Sequence, residues 1–154
     1  MGSVIVSGAL EHKTAVIEML RHSHKAAGFD QDTSAFSFPF DPAYAERVFL
    51  AHLVGPALCI VLTVDAIPQG VLMAVAAEHP FGPVKLAKET VWWIERAARG
   101  IAAVKMLDAY EKWARDCECR FAGMAGMGDD PEVAKLYRRR GYLAAETHFL
   151  KALL

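Results

Sequence analysis

Residues Glu95–Ala114 read ERAARGIAAVKMLDAYEKWA, and the run Thr90–Ile94, TVWWI, leads straight into them. The run is rich in aromatic and β-branched residues and predicts a strand. The chain then turns at Arg99-Gly100 and takes helical spacing, with Val104, Leu107, Tyr110, Glu111 and Ala114 marking the faces. A glycine at a sharp turn, followed by the free amides of a helix's first turn, makes a receptor for a phosphate or pyrophosphate. Arg96 and Arg99 add charge and forked donors suited to that anion. Small Ala102 and Ala103 leave room for a ligand to approach the backbone. The stretch predicts a phosphate-bearing cofactor held where a strand becomes a helix.

Outward from this stretch, punctuation residues divide the chain. Ser3–Ser7 alternates and predicts a strand. Glu11–Ala27 has apolar residues at helical spacing and stops at Gly28. A loop from Phe29 to Pro42 carries Phe36, Phe38 and Phe40. Asp41-Pro42 is a cap and first-turn pair for a short helix over Tyr44–Leu53. Leu58–Val64 and Gly70–Ala77 predict strands joined by a hairpin at Asp65–Gln69, and Leu86–Ile94 predicts the next strand. Beyond the helix over Ala102–Arg115 come a strand at Phe121–Met127, a helix from Asp130-Pro131 to Arg140, and a last strand within Tyr142–Leu150. Gly141 ends that helix. The order predicts an α/β (α+β) fold, one domain over residues 1–154: a mixed, mainly antiparallel sheet with a central parallel strand pair, flanked by about four helices. Ligands in such sheets favour the carboxyl ends of the strands.

Composition narrows the classes. A chain of 154 residues with 54% apolar residues can bury a full core. The net charge of −1 gives no general attraction to nucleic acid or an anionic membrane, so phosphate binding must be local. No apolar run reaches the roughly 18 residues of a membrane span. The N-terminus lacks the basic start and apolar block of a signal peptide, and the cysteines, three in all, form no disulfide framework, so a reduced cytoplasm is expected. Cys117 and Cys119 have no matching second pair, and His22 and His24 are two apart on a helix, so no metal is expected.

The element order, with two motifs, resembles the GNAT family of acyl-coenzyme A-dependent N-acyltransferases over nearly the whole chain. One motif is the loop at Glu95–Leu107. The family pattern is Arg or Gln, two residues, Gly, one residue, then Gly or Ala. Here Ala98 takes the first place, Arg99 and Gly100 form the loop, Ile101 takes the first small position and Ala103 the last. It is similar to looser variants that keep a single Arg-Gly pair. The other motif is Asp130-Pro-Glu-Val-Ala-Lys-Leu-Tyr137-Arg-Arg-Arg-Gly-Tyr142. It matches the family's Asn-Pro, spaced Ala, Leu-Tyr, then Gly with an aromatic, except that Asp130 replaces Asn.

The resemblance implies acetyl transfer from acetyl-coenzyme A, without a metal, to a primary amine of a small molecule or peptide by direct attack. It also allows a catalytically weak acyl-coenzyme A sensor on the same fold, and a homodimer. Arg96, Arg99, Gly100, Ile101, Ala102 and Ala103 would hold the pyrophosphate. Trp93, Ile94, Asp130, Ala134 and Tyr137 would complete the cofactor site. Adjacent Trp92 and Trp93 point to opposite faces of a strand, one into the core and the other, assigned to Trp93, along the pantetheine channel. Tyr137 would be the general acid, since a phenol with pKa about 10 carries its proton at neutral pH; its ring also suits a core anchor. Glu89 would be the general base if partial burial raises its pKa, with Glu78, His79, His148 or water as alternatives. Phe36, Phe38 and Phe40 would line an acceptor pocket or staple their loop to the sheet. Arg138, Arg139 and Arg140 make a basic helix end, solvated or facing the cofactor's 3′-phosphate.

Overall fold

The computed structural model describes residues 2–127 and 131–154. Its strands are β1 (Ser3–Ser7), β2 (Leu58–Val64), β3 (Ile67–Glu78), β4 (Lys85–Ile94) and β5 (Phe121–Gly123). Its helices are α1 (Lys13–Ala26), α2 (Pro42–Ala51), α3 (Ile101–Asp116) and α4 (Ala134–Arg139). The strands lie in the order β1-β2-β3-β4-β5; the first four are antiparallel, and β5 runs parallel to β4. This is the mixed, mainly antiparallel architecture expected, with one difference of place. The parallel pair closes one end of the described sheet instead of standing at its centre.

Two-sided cover explains the continuous apolar runs of β2 and β3. Ile60, Leu62, Leu72 and Ala74 face α3, where they pack with Met106, Leu107 and Tyr110. Their neighbours Cys59, Val61, Val71 and Met73 face α1 and α2, against Val16, Met19 and Phe49. With both faces buried, alternation between apolar and polar disappears and only the period of two in direction remains. Asp41 caps α2 by accepting the Tyr44 N–H at 3.1 Å, with Pro42 in the first turn.

β4 carries an irregularity that matters for the site. Ala74 pairs with Glu89 and Met73 with Val91, so Thr90 has no partner across the pair. This bulge changes the parity of the strand. Ala87, Trp92 and Ile94 therefore all pack on the α3 side despite the odd spacing from 87 to 92, while Val91 and Trp93 pack on the α1/α2 side.

The segments after α3 are shorter than expected. Strand pairing with β4 stops at Lys88–Gly123, so β5 ends well before Met127. Side chains take over its hydrogen bonding: Tyr110 Oη donates to the Gly123 carbonyl at 2.5 Å. The helix expected from Asp130 begins at Ala134, after a turn in which the Ala134 N–H reaches the Pro131 carbonyl at 3.0 Å. It ends as predicted at Gly141, with φ at 88°. The Tyr142 N–H bonds the Tyr137 carbonyl at 2.9 Å and the Gly141 N–H that of Arg138 at 3.1 Å, which together form a Schellman closure. The strand expected within Tyr142–Leu150 does not form. Residues 143–154 have no regular structure, and Leu143 and Phe149 are each 90% exposed. Among the described residues, no helix is long and apolar enough to cross a membrane.

Candidate active site

Past Lys88, β4 continues to Ile94 without a parallel partner, and β5 ends at Gly123. Glu89 is the first residue beyond the last paired position. Its side chain reaches across the opening, where Oε1 accepts the Ala125 N–H at 2.9 Å. Burial pushes its pKa up to about 7, and the Ala125 hydrogen bond pulls partly against that rise. A carboxyl in that range exchanges a proton readily at neutral pH.

Tyr137, projected from α4, meets the same residue. Its Oη donates to the Ala125 carbonyl at 2.8 Å. Its ring lies parallel to Trp92 with centroids 6.4 Å apart, and against Tyr142 at 5.7 Å. Burial, and next the negative charge of Glu89, hold its phenol well above the ordinary tyrosine pKa. The hydroxyl therefore keeps its proton across the neutral range. Glu89 and Tyr137 come from elements far apart in sequence, and the backbone of Ala125 brings them together.

At the far end of β4 the chain makes a 3-10 turn over Arg96–Ala98 and enters α3 through Gly100. Gly100 has φ 119° and ψ −126°. A Cβ there would meet nothing within 4 Å, so glycine is required by conformation and not by space. The first turn of α3 leaves backbone donors without helical partners, and Ile101 beside them is 76% exposed. These features fit a phosphate group.

Several expected residues are placed otherwise. Arg99 folds back toward the strand: its Nε donates to the Ile94 carbonyl at 2.7 Å, and its guanidinium stacks 4.8 Å from the Trp93 ring. Trp93 Nε1 in turn donates to Glu95, which also bonds His22 of α1 at 2.9 Å. Burial works to raise the Glu95 carboxyl, but the bonds from His22 and Trp93 and the charges of His22 and Arg99 outweigh it and hold it below the usual value. Ala102 is 8% exposed and packs into the core with Ala103 beside it, so the small side chains serve helix packing and leave only backbone toward a ligand. Ile94 is buried at 6% and presents its carbonyl alone. Trp92, not Trp93, stands beside Tyr137, because the Thr90 bulge reverses the strand's parity. Arg96 stays exposed in its turn.

Phe38 and Phe40 pack on His24 of α1, with centroids 5.0 Å and 5.7 Å away, and Arg21 covers Phe40. Their loop is stapled to α1. Phe36 remains 40% exposed. Arg140 pairs with Asp108 of α3 at 2.5 Å while remaining exposed. Ala134 opens α4. Asp130 lies outside the described residues. The alternative bases are not brought to Ala125: Glu78 pairs with Lys85 near the β3–β4 turn, His79 caps that turn at Phe81 N, and His148 lies in the tail bonded to Glu146. Among the described residues no cluster of His, Cys, Asp or Glu is arranged to hold a metal ion. Sequence reading missed a contact between His52 at the end of α2 and Thr90; the two are 38 residues apart, and no local pattern joins them.

A mainly antiparallel sheet whose one parallel pair opens beside a helix N-terminus is the fold of GNAT-type acetyltransferases, and this chain has that fold. Among solved structures it is similar to the ribosomal-protein-alanine N-acetyltransferase of Brucella melitensis biovar Abortus 2308, with a TM-score of 0.74, 14% identity, and 97% of this chain and 98% of that chain covered. It is also similar to a predicted acetyltransferase from Clostridium acetobutylicum solved with acetyl-CoA, with a TM-score of 0.75, 10% identity, and coverage of 97% and 95%. An aminoglycoside acetyltransferase from an uncultured soil metagenomic sample, solved in complex with sisomicin, superposes with a TM-score of 0.71 at 16% identity over 99% of this chain and 97% of that one. No protein-family model and no curated protein matches the sequence.

Proposed function

We propose that the chain transfers an acetyl group from acetyl-coenzyme A to a primary amine by direct attack, with both substrates bound together. The observation that carries this reading is the meeting of Glu89 and Tyr137 on Ala125, in the opening where β4 has lost its parallel partner. Acetyl-coenzyme A supplies a thioester, whose carbonyl carbon is the electrophile. The α3 N-terminus behind Gly100 would take its pyrophosphate, and the open edge of β4 past Lys88 its extended arm. Glu89 Oε takes the proton that the attacking amine must lose, directly or through water, and a carboxyl near pH 7 is suited to that task. Tyr137 Oη would turn its proton from the Ala125 carbonyl to the departing sulfur as the thioester occupies the site. Fixing the two groups on one backbone residue supplies the orientation that dominates reactions of this kind.

A second reading has one observation in its favour. Arg99 is committed to Trp93 and to the Ile94 carbonyl, which suits a binding module with weak turnover. Thermal melts with acetyl-coenzyme A test binding, because a ligand of the folded state raises its stability. Arg99→Glu is expected to reduce the shift by setting negative charge beside the α3 N-terminus, and a full shift in that variant removes the loop at Gly100 from the site. Thiol release across a panel of primary amines then separates the readings. Binding with no release for any amine leaves the sensor. In an active protein, Glu89→Gln is expected to lose most rate at pH below the amine's own pKa, where a proton acceptor is needed. A defect equal at all pH values rejects Glu89 as the base.

A further inference from the structure

Glu89 and Thr90, consecutive on β4, point to opposite faces, and the bulge leaves Thr90 on the same face as Val91. Glu89 reaches Ala125, and Thr90 turns to α2. There its Oγ1 lies 2.7 Å from Nε2 of His52, whose Nδ1 lies 2.7 Å from the Val48 carbonyl. His52 is buried at 8%, whereas Thr90 is exposed.

The polarity of this chain follows from donor and acceptor rules. A carbonyl only accepts, so Nδ1 of His52 carries the proton. In the neutral ring Nε2 is then bare and must accept, so the Thr90 hydroxyl donates to it. The one proton of Thr90 is thereby committed inward. What its oxygen offers a further partner is lone pairs alone, suited to a donor and not to a carbonyl.

We propose that Thr90, oriented by His52, receives an N–H of the amine substrate on the α1/α2 side of β4. The inference rests on the acetyl-transfer reading and deepens it. Tyr137 and Glu89 meet at Ala125, and Thr90 turns to the other face of the strand, so an amine held by Thr90 passes its proton to Glu89 through water at the open edge of β4. Thr90 is the substrate-binding residue and His52 a positioning residue. The pair selects acceptors that carry N–H groups and turns away ligands of the same charge that lack them.

Two measurements test it. The first is kinetic. Thr90→Val keeps the shape and removes the oxygen. Loss of one hydrogen bond to an amine is expected to raise the amine KM about tenfold, with the acetyl-coenzyme A KM unchanged and the Tm lowered because buried His52 Nε2 loses its donor. Thr90→Ser is expected to restore the amine KM to within about threefold of the parent. A lowered Tm with an unchanged amine KM in Thr90→Val overturns the proposal and makes the contact a staple between α2 and β4.

The second measurement needs no turnover. The 15N resonance of His52 Nε2 is followed while benzylamine, or benzyltrimethylammonium, is added to the protein with coenzyme A. Both probes carry a ring and a positive charge, but only the first has N–H groups. A shift with benzylamine alone is expected. Equal shifts, or none with either probe, overturn the proposal. A selective shift in a protein that releases no thiol with any amine sinks acetyl transfer and leaves Thr90 as an amine site.

Discussion

β2 and β3 on one side of the opening, and everything after α3 on the other, both carry large apolar side chains and end in opposite states. Val61, Leu62, Val71, Leu72, Met73 and Ala74 are wholly buried. α4 has no buried residue, and Leu143, Phe149, Leu150 and Leu153 after it stand in solvent. The presence of large apolar side chains therefore does not by itself decide burial. β2 and β3 have neighbours along both edges and helices over both faces; β5 offers three residues and one paired edge. Burial needs a template as well as a side chain. Glu89 belongs to the well-supported half and Tyr137 to the lighter one, so their spacing depends on segments that contribute little to holding the fold together.

That contrast can be broken at either end. The largest expected effect is in Tyr137→Phe, where removal of the phenol proton should lower turnover by roughly 10²–10⁴ with acetyl-coenzyme A binding retained; unchanged turnover, in a step shown to be chemistry, would make the tyrosine a packing residue only. Next comes Leu72→Ala in the supported half, expected to cost about 2–5 kcal/mol in urea unfolding. Glu89→Gln follows, and its sign depends on pH. Folding raises the Glu89 pKa from 4.5 to about 7, so its stabilising share is full below 4.5 and is lost as pH rises through 7. Gln loses nothing over that range. The variant should thus match the parent near pH 4 and exceed it by about 1–3 kcal/mol at pH 8. A gap that does not open between those pH values means that the carboxyl is not desolvated. The smallest effect is Phe149→Ser in the tail, expected within about 0.5 kcal/mol of the parent. A cost above about 1 kcal/mol would show that the tail is packed in solution, and the contrast between the halves would fall.

Most of the fold was legible because its signals are local. β1 and β2 match the expected bounds, since each run ends at a turn residue that sequence displays. Gly141 marked the end of α4 for the same reason, as left-handed backbone there requires glycine. The early end of β5 was not legible. It depends on Tyr110, Glu89 and Tyr137 taking the carbonyls and amide of residues 12 to 36 positions away. The choice between Trp92 and Trp93 failed because one unpaired residue, Thr90, inverts an alternation that sequence reading assumes to be unbroken. Glu89 and Tyr137 were named from motif position, and what sequence could not supply was the shared residue that joins them. Arg99 was read as a free donor; its stacking on Trp93 requires knowing which face that indole takes.

The hairpin between β2 and β3 turns in two residues, Asp65 and Ala66, and both have positive φ, 50° and 68°. Asp65 has a second duty, accepting the Gly2 N–H at 3.1 Å. Ala66 makes no such contact and bears the steric penalty of a Cβ in left-handed backbone. A laboratory selection for heat tolerance would find this codon early: Ala66→Gly relieves that strain at a site distant from Ala125, for a gain of about 0.5–1 kcal/mol, or about 1–4 °C in Tm for a chain of this size.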